Sequence, residues 1–517
     1  MEIIACLVFL CTFILAYALG VRYYAHMFQL DSYAPVTFFK WLSRGGGAPV
    51  ITKSFSALIA LVLLAFLPRT AGLFAAAVCH LLFAFAFRPF KAKKPFVVTM
   101  RALRLLITTG ILGAALFAAF AVLRLPLLAE LVLLCAPFLL LLASLINAPV
   151  ENAVKRHYIN DAKAILAARR KNLTVIGITG SYGKTSTKFF LQKILSQKYN
   201  VLMTPGSYNT TMGVVRVIRE MLKPSHEIFI CEMGARHLGD VKEICDIVLP
   251  DHGILTSVGP QHLETFGSIE NVVKAKFELA DAVPEKGFMV INADNRYIDE
   301  HPIGKTAVRY GIDNENAEYR AKDVTLSPRG VSFTVVHGEE SFPLSTRLVG
   351  RHNVMNILAC VALADKLGLT KEEIAAGVRK LEPVPHRLQM IDAGDITIID
   401  DAFNANPAGT KAALEVLGAF DGVKILVTPG MVELGDSADL LNREFGRAAA
   451  GVCDYIFIVG KENRDSIAKG IAETGFDTEK RVKNVSGPTE AMDLVKALDT
   501  GAKKIVLLEN DLPDNFA

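Results

Sequence analysis

Cross-linking chemistry is scarce in this 517-residue sequence: its eight cysteines form no C-x-x-C pair, and half of them lie in apolar stretches. That excludes a disulfide framework and a zinc ribbon, and leaves the cysteines as small hydrophobes in a reducing compartment. Charge of one sign is scarce too. The formal net charge is only +4, and no basic run with interleaved aromatics occurs in the polar part, so no nucleic acid is expected as a partner. Internal repeats and low-complexity linkers are absent.

Apolar residues are abundant. They make up 51% of the chain against 21% charged, a mixture that suits an oily region joined to an ordinary globular one. Apolar stretches run over Ile3–Gly20, Ser54–Leu67, Ala71–Phe87, Leu105–Leu123 and Leu127–Ile146. Against the roughly 20 residues that cross a bilayer, they predict about five spans. Ser54–Phe87 is also open to a tight hairpin or one kinked span, with Pro68 and Arg69 at the turn. Glu2, the lack of a basic start and the further apolar segments mark Ile3–Gly20 as a retained anchor.

Basic residues cluster in the two long loops (Arg22 to Lys53, Arg88 to Arg104) and after the last span (Lys155 to Lys171). The other connections hold only Arg69 and Arg124. The positive-inside rule then predicts a multi-pass plasma-membrane protein with its N-terminus outside and everything after residue 150 in the cytoplasm. The aromatics of His26–Tyr33 and Trp41 read as an interfacial belt in a loop, or else as a contact for a lipid-linked substrate.

The strongest chemical signal is Val175-Ile-Gly-Ile-Thr-Gly-Ser-Tyr-Gly-Lys-Thr-Ser-Thr187. A β-branched strand enters a glycine turn and a helix leaves it, so backbone N–H groups and a positive helix end converge where phosphates bind. Gly180 and Gly183 shape the loop, Lys184 faces the β- and γ-phosphates, Thr185 offers a hydroxyl to magnesium, and Ser186 continues the turn. The loop is a variant, with Ile178 where a P-loop has its first glycine.

Downstream, Glu227–Cys231 ends in Glu232, and a second strand ends near His262. Strands alternating with helices predict a parallel α/β sheet, whose ligands sit beyond the carboxyl ends of its strands. Glu232 is placed there to hold magnesium, and His262 to coordinate directly or through water. A second alternation from about residue 386 predicts a smaller Rossmann-like domain. The expected division is therefore 1–150, 151–385 and 386–517.

Several ordered motifs then converge. Thr179-Gly-Ser-Tyr-Gly-Lys-Thr185, Thr204-Pro-Gly-Ser-Tyr-Asn209, Glu232-Met-Gly234, His262-Leu-Glu-Thr-Phe-Gly-Ser268 and Lys274-Ala-Lys-Phe-Glu278 resemble the Mur ligases. So do Gly350-Arg-His-Asn-Val-Met-Asn356, Pro385-His-Arg387, Asp400-Asp-Ala-Phe-Asn-Ala-Asn-Pro407 and Met431-Val-Glu-Leu-Gly435. Within the family, the last two strings are most like the branch that joins D-alanyl-D-alanine to the muramoyl tripeptide.

The resemblance implies an ATP-dependent amide ligase of peptidoglycan precursor synthesis, which activates a carboxylate as an acyl phosphate. Lys184, Lys276 and His262 would be catalytic. Two Mg2+ ions would be held by Thr185, Glu232, His262 and a carbamylated Lys276. Asn292, Asn356, Arg387 and Asp401 would meet ATP, while Asn209, Asn404 and Asn406 would meet substrate. An Asn-Ala-Asn-Pro turn capping the next helix would need the last two equally.

Two departures bear on substrate. Membrane stretches replace the family branch's soluble sugar-binding domain, and Leu508-Glu-Asn-Asp-Leu-Pro513 stands where that branch has a basic string. The implied partners are ATP, a muramoyl-peptide or other carboxylate, UDP-linked or lipid-linked, and an amino acid or dipeptide. A polyamide ligase of the poly-γ-glutamate type and an idle membrane scaffold are the alternatives.

Overall fold

The computed structural model describes residues 1–44, 47–89, 94–122, 126–304, 306–403 and 405–511. It divides into a helical unit over Met1–Arg156 and an α/β unit over His157–Leu512.

The helical unit contains α1 (Glu2–Leu30), α2 (Pro35–Arg44), α3 (Gly47–Phe66), α4 (Arg69–Ala86), α5 (Met100–Val122), α6 (Pro126–Leu134) and the start of α7 (Ala136–Arg169). Four of these, α1, α4, α5 and α7, are long and apolar enough to cross a membrane, while the apolar part of α3, Thr52–Phe66, is shorter. The Ser54–Phe87 region is the hairpin, turning at Leu67 and Pro68. The Leu127–Ile146 stretch differs from expectation, because it breaks at Cys135 into α6 and α7. Pro137 has no N–H for the carbonyl four residues back, and it sits in the first turn of α7, where that N–H is not needed. His26–Leu30 also differs, forming the last turns of α1 rather than a loop.

Two charged pairs lie inside this unit. His80 and Glu130, both fully buried, lie 2.7 Å apart. Arg104 donates to Glu151 through Nε (2.6 Å) and Nη2 (2.9 Å).

The α/β unit has two sheets. The first is ordered β2-β3-β1-β4-β5-β6-β7-β8-β9. Its strands are β1 (Thr174–Thr179), β2 (Val201–Met203), β3 (Ile228–Glu232), β4 (His252–Leu255), β5 (Met289–Asn292), β6 (Ala307–Gly311), β7 (Tyr319–Ser327), β8 (Gly330–His337) and β9 (Glu340–Thr346). Side chains alternate across it: Val175 joins the core under helices 211–221, 240–248 and 269–282, while Ile176 and Ile178 join the core under 184–195 and 351–366. Strands β1 to β6 are parallel as expected, but β7, β8 and β9 form an antiparallel extension.

The second sheet is ordered β10-β11-β15-β12-β13-β14. It contains β10 (Gln389–Ala393), β11 (Ile396–Asp401), β12 (Val423–Thr428), β13 (Tyr455–Val459), β14 (Val482–Val485) and β15 (Lys504–Glu509), all parallel except β10.

Candidate active site

At the end of β1 the chain turns through Gly180 (φ +149°) and Gly183 (φ +80°) into helix Lys184–Leu195. Only glycine fits either place. A Cβ on Gly180 would fall 2.1 Å from Thr256 Oγ1, and one on Gly183 would fall 2.5 Å from Asn356 Oδ1.

The loop is pinned to the segment after β4. Ser181 N donates to Ser257 O (2.7 Å), Tyr182 N to Ser257 Oγ (3.0 Å), and Ser181 Oγ to Gly259 O (3.0 Å). Thr256 Oγ1 closes it with a 2.5 Å bond to Tyr182 O. Backbone groups fixed in this way do not reorganise when an anion arrives. Lys184 Nζ lies across the mouth of the loop, donating to Gly180 O (2.6 Å) and Ser181 O (3.1 Å). Burial pulls its pKa down to about 8, with Glu232 opposing and Arg387 reinforcing.

Glu232, 1% exposed at the end of β3, gathers the charged set. Its Oε1 accepts from Thr185 Oγ1 (3.2 Å) and Asn209 Nδ2 (3.1 Å), and its Oε2 accepts from Lys188 Nζ (2.8 Å). Burial alone would raise the Glu232 pKa, but Lys188, Lys184 and the Asn209 amide hold it below the usual carboxylate range. Lys188 is fully buried and also donates to Gly206 O (2.7 Å).

Arg387 reaches the same point from the segment before β10, donating from Nη2 to Thr185 Oγ1 at 3.4 Å with its guanidinium 4.4 Å over the Phe403 ring. Ser186 is buried in the first turn of the loop helix.

His262 stands apart from this set. It has φ +52°, and its Nδ1 lies 2.5 Å from Glu433 Oε2, whose other oxygen is 3.4 Å from Arg236 Nη2. Burial lowers the His262 pKa despite that carboxylate. Lys276, 1% exposed, has no hydrogen-bond or ion-pair partner among the described residues, and its Nζ lies 5.9 Å from the Phe266 centroid. Burial, then the charge of Lys184, drives its pKa well below that of a free lysine. Among the described residues no group of three or more His, Cys, Asp or Glu is arranged around a common point.

Asn292 spends its amide on backbone, Nδ2 donating to Thr256 O (2.9 Å) and Oδ1 accepting from Asp294 N (3.0 Å). Asn356 Oδ1 accepts from Thr187 Oγ1 (3.3 Å) beneath Gly183. Asp401 Oδ1 accepts from Leu388 N (3.1 Å), and burial raises its pKa to about 6. Asn406 caps helix Pro407–Gly418 through Gly409 N (2.8 Å), and Asn404 lies outside the described residues.

Three contributors escaped the sequence reading. Lys188 is one helical turn beyond Lys184, a spacing that puts both on one face. Glu433 sits in a quoted motif without an assigned partner. Glu509 lies opposite Asp401 on the neighbouring strand and is fully buried. Burial and the Asp401 carboxyl push its pKa well up.

The comparisons agree with this geometry. Residues 178–364 match the Mur ligase middle domain and 386–509 match the Mur ligase glutamate ligase domain. The UDP-N-acetylmuramoyl-tripeptide–D-alanyl-D-alanine ligase of Escherichia coli K12 is 32% identical over 65% of this chain and 75% of its own length. The same-named ligase of Bacillus subtilis 168 is 33% identical over 64% and 71%. Among solved structures, the Thermotoga maritima MurF ligase in complex with ADP matches with a TM-score of 0.61 and 27% identity, covering 69% of this chain and 80% of that one. With the pinned glycine loop and the motifs from Glu232 to Glu433 all in place, the chain belongs to the Mur ligase family.

Proposed function

We propose that this chain is a membrane-anchored, cytoplasm-facing ATP-dependent ligase that makes an amide bond on a cell-envelope peptide precursor. The observation that carries the reading is the connected set of Lys184, Thr185, Glu232 and Asn209, with Arg387 brought to it from the C-terminal domain. By analogy with the relatives' names, the carboxylate belongs to a UDP-linked muramoyl tripeptide or a lipid-linked form of it, and the amine to D-alanyl-D-alanine. Residues 1–150, 151–385 and 386–517 act as anchor, nucleotide-binding domain and closing domain.

A carboxylate is a poor electrophile, so activation comes first. A carboxylate oxygen attacks the γ-phosphorus, the bond to the β–γ bridging oxygen breaks, and ADP leaves. The amine nitrogen then attacks the acyl carbon, the carbon–oxygen bond to phosphate breaks, and the nitrogen loses a proton. Loop N–H groups and protonated Lys184 stabilise charge on the phosphates, and Arg387 brings a planar donor fork as the domains close.

Thr185 Oγ1 and Glu232 Oε1, 3.2 Å apart with the Glu232 carboxyl ionised, are hard oxygen donors that fit Mg2+, which when bound would neutralise phosphate charge. His262 is assigned to a second metal position. Burial disfavours the ammonium form of Lys276 and so favours the neutral amine, which is the form that adds carbon dioxide to give a carbamate. Asn292, Asn356 and Asp401 are assigned to the nucleoside side, and Asn209, Asn404 and Asn406 to substrate.

Membrane attachment is supported by the four long apolar helices. The test is phosphate release by detergent-solubilised protein with Mg-ATP, across UDP-linked and lipid-linked muramoyl peptides and glutamate, each with D-alanyl-D-alanine or single amino acids. Release that requires one carboxylate and one amine, and is lost in Lys184→Ala, supports the ligase. Absence of release in every combination sinks it.

A further inference from the structure

A groove of about 620 Å³ runs along α1 and α5 of the helical unit. The two helices are antiparallel neighbours: Tyr17 OH donates to Thr109 O (2.9 Å), and Gln29 Nε2 donates to Val97 O (2.8 Å). From Leu10 to Arg22 the groove follows about 18 Å of α1, which is the depth of one hydrocarbon chain reaching past the middle of a bilayer.

Small residues create it. Gly110 and Ala114 of α5 leave space that larger side chains would fill, a Cβ on Gly110 meeting nothing within 4 Å, while Gly113 lets the Tyr17 ring pack against the α5 backbone. Its walls are apolar, with Phe13 and Phe117 inside and Ile14 57% exposed at the rim, so a chain can enter sideways.

One end is different. Arg22 lines the groove where α1 nears its C-terminus, its guanidinium 5.8 Å from the Phe96 centroid. Among the described residues Arg22 has no hydrogen-bond or ion-pair partner. Any bilayer lipid fills an apolar groove, but an unpaired guanidinium at its mouth calls for an anion in a fork geometry that suits phosphate.

We propose that this groove binds the single hydrocarbon chain of a polyprenyl-type lipid phosphate or pyrophosphate, with Arg22 receiving the phosphate. The inference rests on the reading of residues 1–156 as membrane-embedded and deepens the proposed function. It makes the helical unit a holder for a lipid-linked acceptor in place of a soluble sugar-binding domain.

The experiment is native mass spectrometry of the full chain in detergent, titrated with undecaprenyl phosphate, undecaprenol or dioleoyl phosphatidylglycerol. The expected result is one equivalent of undecaprenyl phosphate bound about tenfold more tightly than the alcohol, with Arg22→Gln removing that difference. Gly110→Leu and Ala114→Leu, which fill the groove from a helix face, should each abolish binding at an unchanged thermal midpoint. Equal binding of the alcohol, binding that survives both filled-groove variants, or equal binding of the diacyl lipid would each overturn the proposal. Carbonate extraction of wild-type membranes separates the two failures. Release into the soluble fraction overturns the membrane reading itself, whereas retention without lipid phosphate binding overturns the groove alone.

Discussion

The two sheets of the α/β unit present polar groups at their carboxyl edges, and they hold them in opposite ways. At β1 and β3 each charge has a partner: Lys188 faces Glu232, and Lys184 is held by two loop carbonyls. At β11 and β15 two carboxyls, Asp401 and Glu509, stand in register on adjacent parallel strands. The first edge holds its charges in fixed positions. The second stores protons, because like charges in a buried site cannot both ionise. A single fold class therefore yields paired charge at one edge and an acid pair at the other, according to the side chains at the last residue of each strand.

The sharpest way to break this contrast is to remove the charge at the loop. Lys184→Ala should cut phosphate release by about 10³-fold with little loss of stability, since the lysine bonds only to loop carbonyls that water can satisfy. The same residue predicts a pH signature. Its folded pKa of about 8 lies below the usual lysine value, and bound phosphates favour the charged form. ATP binding should therefore take up protons at pH 8 to 9, and affinity should fall as pH rises through this range. Calorimetry in buffers of different ionisation enthalpy measures the uptake, and identical observed heats in all the buffers would refute it.

The next effect is on folding. Lys188→Met removes the ion-pair partner of the buried Glu232 carboxylate and should cost about 3 kcal/mol, whereas Lys188→Met with Glu232→Gln should recover most of it without restoring activity. Circular dichroism melts of the four proteins complete the cycle, and a single variant that melts with the wild type would show that Lys188 is not the counter-ion. Gly180→Ala comes next, at about 2 kcal/mol, because it combines a φ of +149° with a Cβ inside Thr256. A midpoint unchanged in that variant would mean the loop is not pinned.

How much of this was legible depends on distance along the chain. The glycine loop, the strands β1, β3 and β4 alternating with helices, and the Asn406 cap are local patterns, and each reads directly from neighbouring residues. The antiparallel extension β7 to β9 does not, because a strand's alternation is the same whichever way its neighbour runs. Lys188 was missed because a helical lysine is ordinarily solvated, and only β3 beside it makes it a buried counter-ion. His262 and Glu433 are 171 residues apart, and no spacing rule joins them. The acidity of the Leu508–Pro513 string was visible, but its pairing with Asp401 follows from β15 inserting between β11 and β12.

That pairing gives the smallest and most specific prediction. Asp401 titrates near 6 when folded, above its usual 3.8, so the folded state keeps a proton that the unfolded chain gives up. Stability from this group is present below about pH 4 and is lost as pH rises to about 6, after which it is level. Glu509→Gln keeps the buried side chain neutral and the volume similar, and its amide would donate to the Asp401 carboxylate. Because burial raises the Asp401 pKa and a neutral Glu509 already donates to it, Asp401 should keep its raised pKa, so the fall in thermal midpoint between pH 4 and 6 should persist in the variant, while the midpoint at pH 7 changes by no more than about 1 kcal/mol in stability. A slope that flattens in the variant would mean that Glu509, and not burial, sets the Asp401 proton. A large stabilisation at pH 7 would instead mean that Glu509 is ionised in the native protein and that the second edge, like the first, carries fixed charge.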